Sequence, residues 1–158
     1  MTAVRRMRGE ATLCNVANEL VQDVVEGDGF AVANVDALGD RYGFRKIRRE
    51  LGVEAMGMNA IAIPPGYETG RHYHEEQEET YFIHRGTVEM TFGDGTSHVL
   101  GPGGIARVDA PTVRKLKNVG DDDALYFVVG GKDGYVGRDG KLPEGDTSPR
   151  GSQPLPPS

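Results

Sequence analysis

The reading of the fold starts from one stretch: Gly66-Tyr67-Glu68-Thr69-Gly70-Arg71-His72-Tyr73-His74-Glu75-Glu76-Gln77-Glu78-Glu79-Thr80-Tyr81-Phe82-Ile83-His84-Arg85-Gly86. Two of the chain's four histidines stand here as His-X-His, followed by a block of carboxylates and then an aromatic and β-branched run. On an extended backbone alternate side chains share a face, so His72 and His74 project together. A carboxylate returning to the same spot completes a two-His, one-carboxylate set, which suits Fe(II) and similar divalent metals. Glu79 has the parity of Tyr81 and Ile83, an apolar inward face, so its carboxylate needs a cation or donors there. Glu78 has the opposite parity and, with Glu75 and Glu76, reads as solvated rim.

Working outward, short strands punctuated by Gly and Pro are expected on both sides of this block. Phe30 to Val35 reads as a strand closed by Gly39-Asp40. Phe44 to Leu51 fits either a short helix or an edge strand, and its basic residues Arg45, Lys46, Arg48 and Arg49 read as a solvated face. Met56 to Ile63 is apolar and stops at Pro64-Pro65-Gly66, a strong turn signal. The methionines there are expected core fillers. Thr80 to Ile83 is strand-like. Val88, Met90 and Phe92 alternate with Thr87, Glu89 and Thr91, the pattern of a half-buried strand, and Gly93-Asp94-Gly95 is a hairpin turn. His98 to Leu100, Ile105 to Val108, Val113 to Asn118 and Leu125 to Val129 complete the series. Arg114 shares the inward parity of Leu116, with Lys115 and Lys117 on the other face. His84 and His98 have no partner by spacing and are expected to be exposed. Many short strands at regular spacing predict an antiparallel sandwich or jelly-roll barrel.

The flanks look different. Asn15 to Glu26 places Val16, Leu20, Val21, Val24 and Val25 on a helical stripe that ends at Gly27-Asp28-Gly29, so residues 1–28 are expected to form an N-terminal arm with a short helix. Residues 29–137 form the barrel domain, and 138–158, rich in Gly, Pro, Ser and charge, are expected to be a flexible tail.

Composition limits the function classes. The 158 residues fit one domain with a real core, and a formal charge of −6 disfavours nucleic acid and membrane surfaces as partners. Arg5, Arg6 and Arg8 read as a solvated terminus. The single cysteine, Cys14, leaves no internal disulfide and no thiolate-rich zinc site. No apolar run reaches bilayer length, and no apolar segment follows the N-terminal arginines as in a secretory signal, so a cytoplasmic setting is the expectation. No nucleophile elbow or phosphate loop supports another catalytic class.

The spacing Gly66, five residues, His72-X-His74, four residues, Glu79, six residues, Gly86 resembles the first motif of the cupin superfamily. The second cupin motif (Gly, five residues, Pro-X-Gly, two residues, His, three residues, Asn) aligns with Gly103 and Asn118. It then leaves Asp109 and Pro111 where Pro and Gly are usual, and Arg114 where the family's fourth metal ligand, a His, stands. The resemblance covers about residues 30–130 and implies an all-β cupin double-stranded β-helix, an antiparallel jelly-roll barrel. It implies His72, His74 and Glu79 as ligands of one divalent transition metal per chain (Fe, Mn, Ni or Zn), and a homodimer, for which Phe30, Val32, Phe82 and Phe127 offer apolar faces.

Two readings of Arg114 stay open. In one, the triad holds a metal and Arg114 binds the carboxylate of a small substrate, with Arg114 and Tyr81 as the catalytic side chains. The expected function is then a metal-dependent enzyme acting on a small organic acid or carbohydrate-like molecule, with an oxygenase named first and isomerase or lyase next. In the other, the guanidinium pairs with Glu79, no metal binds, and the protein is a non-catalytic small-molecule-binding or sensing cupin.

Overall fold

The computed structural model describes residues 20–147 and Leu155. Cys14, the N-terminal arginines and residues 15–19 of the expected helix lie outside the described residues. From Leu20 onward the expected helix is absent. Val25–Gly27 (β1) and Phe30–Val32 (β2) instead pair as an antiparallel hairpin, Val25 opposite Val32. The reason is the turn between them: Asp28-Gly29 is a two-residue hairpin loop, and Gly29 adopts φ +80. The apolar stripe that reads as helical is thus spent partly on an extended hairpin whose Phe30 is 58% exposed.

The strand expected over Phe30 to Val35 ends at Val32, and a 3-10 turn follows at Val35–Leu38, capped by the Asn34 side chain. The ambiguous segment after it contains both alternatives. Gly43–Arg45 (β3) is an edge strand, and Ile47–Glu50 (α1) is a single helical turn. The remaining strands are Gly57–Ile63 (β4), Tyr73–His74 (β5), Glu78–Arg85 (β6), Val88–Phe92 (β7), Ser97–Leu100 (β8), Ile105–Val108 (β9), Arg114–Asn118 (β10), Ala124–Gly131 (β11) and Gly140–Lys141 (β12).

All pairings are antiparallel. One sheet has the order β3-β4-β11-β6-β9, a second β10-β7-β8, and β5 pairs with β12. The inner faces of the two larger sheets meet around Ile63, Tyr81, Ile83, Val88, Met90, Leu116 and Tyr126, all buried. That core exists because the period-2 pattern holds: along β6, Glu79, Tyr81 and Ile83 are buried while Glu78, Thr80, Phe82 and His84 are exposed. Arg114, Leu116 and Asn118 are likewise the buried members of β10. A second, smaller core forms on the outer face of the five-stranded sheet, where Ala60, Ala62 and Leu125 lie under Ile47 of α1. Farther along that outer face Phe82 stays 41% exposed beside Phe127 and His84.

The turns use their glycines for specific reasons. Gly86 sits at φ +78, and a Cβ there would lie 2.5 Å from Ala124 Cα, so the turn into β7 admits no side chain. Asn118 is buried and acts as a brace: its Nδ2 donates to the carbonyls of Ile63 (3.1 Å) and Asp122 (2.8 Å), and its Oδ1 accepts from Gly120 N–H (3.0 Å).

The stretch after β11 departs from a flexible tail over its first part. Asp139 is buried and β12 pairs with β5, Gly140 opposite His74 and Lys141 opposite Tyr73. Backbone pairing with the histidine strand and hydrogen bonds from three backbone N–H groups to the Asp139 carboxylate order a segment whose composition reads as solvent-exposed.

Candidate metal centre

His74 ends the short strand β5 and His72 immediately precedes it in an isolated bridge to Arg114, so the histidine segment is held from two sides. Across one side, His72 faces Arg114 in a reciprocal backbone pair, with His72 N–H donating to Arg114 O (3.1 Å) and Arg114 N–H donating to His72 O (2.9 Å). His74 N–H donates to Ala110 O at 2.8 Å, and β12 closes the other edge. Glu79 enters from β6, between Gly130 of β11 and Val108 of β9. Gly130 gives it room: a Cβ at that position would lie 3.1 Å from Glu79 Cγ.

These three side chains converge. One ligand atom from each lies within 4.8 Å of the others, and among the described residues this is the only His/Cys/Asp/Glu group so arranged. His74 Nε2 is 3.2 Å from Glu79 Oε1, and His72 Nε2 is 3.9 Å from Glu79 Oε2. Metal–ligand bonds of about 2.0–2.2 Å place donors on one ion roughly 3–4 Å apart, so the spacing fits a single ion with modest closure. The donors are two imidazoles and a carboxylate with no thiolate, a set for Fe, Mn, Ni or Zn rather than for Ca or Mg. His72 is the open member, with its side chain 30% exposed.

Arg114 reaches the same carboxylate from below. Its side chain is 0% exposed, and Nη2 lies 2.7 Å from Glu79 Oε2. Nε donates to the Tyr81 hydroxyl at 3.3 Å, and Nη1 donates to the carbonyls of Ala110 (3.2 Å) and Thr112 (2.9 Å). Tyr81, also buried, donates its hydroxyl proton to Glu79 Oε2 at 2.5 Å. The two oxygens of Glu79 differ: Oε2 takes the donors of Arg114 and Tyr81 and is the oxygen nearer His72 Nε2, at 3.9 Å, whereas Oε1 faces His74.

The electrostatics follow from this crowding. Burial alone would push the Glu79 carboxyl up, but His72, His74 and the Tyr81 hydroxyl override it and hold the group well below the usual carboxylate range. Burial first, then the Glu79 charge, push the Tyr81 hydroxyl well above its ordinary value, so Tyr81 keeps its proton. Burial would lower Arg114, but Tyr81 and Glu79 more than offset it and raise it. The Glu79–Arg114 pair is ionised on both sides.

All five sequence-derived site residues, His72, His74, Glu79, Arg114 and Tyr81, thus come together at one place. Two others join them that strand parity did not reveal. Gln77 lies with its side-chain nitrogen 3.0 Å from His74 Nδ1, and Asp139 Oδ2 is 3.4 Å from the same nitrogen. Gln77 carries a weak signal, three residues past His74 in a turn. Asp139 carries none, because its approach depends on β12 returning to β5.

The cupin domain family matches residues 60–130, the segment from β4 to β11 that carries the triad. Residues 60–130 are a cupin domain. Solved structures agree on the architecture. A cupin protein from Bacteroides fragilis is 21% identical, with 75% of this chain and 92% of that one covered and a TM-score of 0.57. A sugar phosphate isomerase of the cupin superfamily from Silicibacter pomeroyi is 22% identical, with 77% and 80% covered and a TM-score of 0.53. An uncharacterised double-stranded β-helix protein from Klebsiella pneumoniae is 22% identical, with 57% and 76% covered and a TM-score of 0.52. At these identities the likeness is one of fold. No curated protein matches the chain. Among the described residues no helix is long and apolar enough to cross a bilayer.

Proposed function

We propose that this cupin binds one divalent transition metal through His72, His74 and Glu79, and acts as a metal-dependent enzyme on a small anionic organic molecule. The observation that carries the reading is the division of Glu79. Arg114 and Tyr81 hold Oε2, and Oε1, 3.2 Å from His74 Nε2, takes neither of those donors, so one carboxylate oxygen is left for a metal beside the guanidinium. A bound ion would supply Lewis acidity and, as Fe(II), dioxygen chemistry. An oxygenase is the first reaction class, with isomerase and lyase next.

The chain's own groups do the rest. Arg114 has five N–H donors, of which four are placed on Glu79, Tyr81, Ala110 and Thr112; one Nη2 N–H is uncommitted, and because the side chain is 0% exposed a substrate oxygen would reach it only with local movement. Its permanent charge favours an anionic substrate at the exposed side of His72. Tyr81 serves as a fixed donor that orients Glu79. We extend the proposal to a cytoplasmic homodimer built on apolar faces such as exposed Phe82; a solution mass of one chain, 17.1 kDa, in light scattering contradicts the dimer.

A second reading is favoured by the 2.7 Å Arg114–Glu79 pair alone: a sensing cupin that binds small anions without a metal. A turnover and oxygen-uptake screen over small carboxylates and sugar acids, with each of Fe(II), Mn(II), Ni(II) and Zn(II), separates the two. Metal-dependent conversion lost in Glu79→Gln supports the enzyme. Saturable binding that ignores metal, with no conversion, supports the sensor.

A further inference from the structure

The basic run after β3, which reads from sequence as a solvated face, encloses a cavity. β3 pairs with β4 only from Ala60 to Ala62, so Gly57 to Asn59 pair with β11 and have no partner strand on their other side among the described residues. The chain leaving β3 turns there into α1 and brings Lys46, Arg48 and Arg49 around a cavity of about 300 Å³, whose lining also includes Gly57, Asn59 and Tyr135. A volume of that order suits a small ligand. No Asp or Glu lines it.

Three cations without a lining carboxylate are unusual in a chain of formal charge −6. Elsewhere Arg41, Arg71, Arg85 and Arg107 each have a carboxylate oxygen at 3.8 Å or less. In the cavity Arg49 is spent in the same way, its Nε donating to Glu50 Oε1 at 2.8 Å. Lys46 and Arg48 have no ion pair among the described residues. Arg48 is instead laid on an aromatic ring, its Cζ 3.9 Å from the Tyr135 ring centroid. Stacking uses the face of the guanidinium and leaves its N–H edge for hydrogen bonds. A glycine seats the ring: a Cβ at Gly57 would lie 3.3 Å from Tyr135 Cδ2. Arg48 is thus a planar donor held in place, and the Lys46 ammonium is a second charge on the same cavity.

We propose that this cavity is a binding site for a dianionic oxyanion, a phosphoryl group met as free phosphate or as a phosphomonoester, held by the Arg48 N–H edge and the Lys46 ammonium. Two uncommitted positive charges match two negative ones, and the guanidinium fork fits two phosphoryl oxygens at once. A monocarboxylate satisfies only one of the charges. None of His72, His74 and Glu79 lines the cavity, so the site stands or falls without the metal reading.

The test is an NMR titration of chelator-treated protein at about pH 8, where a phosphomonoester is dianionic, with inorganic phosphate, glycerol phosphate and acetate as probes. Both phosphates should shift the Arg48 Nε–H resonance saturably, and acetate should bind at least about tenfold more weakly. Tighter binding of glycerol phosphate assigns an ester as the ligand, and tighter binding of inorganic phosphate assigns the free ion. Lys46→Gln and Arg48→Gln should each raise the dissociation constant by about tenfold or more. Lys117→Gln, which removes an exposed charge on β10, should change it by no more than about twofold. Tyr135→Phe should keep the affinity, whereas Tyr135→Leu, which takes away the stacked ring, should weaken it by about threefold. Binding that ignores both Lys46→Gln and Arg48→Gln, equal affinity for acetate, or no saturable shift with either phosphate overturns the proposal. Should a variant fail to fold, the wild-type titration decides: shifts confined to residues away from Lys46 and Arg48 overturn it as well.

Discussion

Replacing Arg114 with Met probes the pair on which the interior of the site depends. The side chain is fully buried, and its loss strips Glu79 Oε2 of a cation at 2.7 Å and takes one donor from each of the carbonyls of Ala110 and Thr112, the former keeping His74 N–H. Removing one member of a buried, hydrogen-bonded ion pair costs about 3–5 kcal/mol, because the remaining charge stays buried and uncompensated. That is a large part of the roughly 5–15 kcal/mol that holds a domain folded. With a urea m-value of about 2 kcal/mol per M, the midpoint should fall by about 1.5–2.5 M in chelator-treated protein. Glu79→Gln leaves the converse defect, a buried guanidinium without its anion, and should cost a similar amount. The double variant removes both charges, so its cost should fall short of the sum by about 2–3 kcal/mol. Urea unfolding followed by circular dichroism measures all four corners of the cycle. A midpoint shift in Arg114→Met below about 0.5 M, or strictly additive singles, refutes the claim that these residues form one buried unit.

Two further outcomes follow from the same geometry. The Glu79 carboxyl is held well below its ordinary range despite burial, so its folded pKa lies under the unfolded value of about 4.3. In acid the unfolded chain therefore binds more protons, and metal-free wild type should lose stability as pH falls below about 4.3, with a shallower acid limb in Glu79→Gln. Identical acid limbs in pH-dependent denaturation contradict this. Gly86→Ala should cost at least about 1–3 kcal/mol in the same urea assay, since the backbone is at φ +78 and the new Cβ meets Ala124 Cα at 2.5 Å; a neutral result would show that the turn relaxes freely.

The site was legible from sequence where strand parity controls it. Glu79, Tyr81 and Ile83 alternate with charged and exposed neighbours, and Arg114 alternates with two lysines around Leu116, so each inward side chain could be placed without coordinates. Their convergence requires only that β6 and β10 face the same interior, which a jelly-roll barrel supplies. Legibility failed where pairing is non-local or two local signals overlap. Asp139 lies in a Gly-rich, charged stretch, and nothing nearby announces that Gly140 will pair with His74. The Val24-Val25 stretch satisfies a helical stripe and a strand equally, and the Asp28-Gly29 loop decides for the hairpin. Arg114 shows the limit of parity: it gives direction, but not that four of five donors are already spent within the protein.

The most direct test of the metal assignment is elemental analysis of protein purified without a histidine tag, read alongside thermal stability with chelator and with added divalent ions. About one equivalent of transition metal per chain, lost with its stabilisation in His72→Ala, is the predicted result. Wild-type protein that holds no metal, and whose melting temperature is moved by none of Fe(II), Mn(II), Ni(II) or Zn(II), would contradict it and leave the Arg114–Glu79 pair as the sole charge balance of the site.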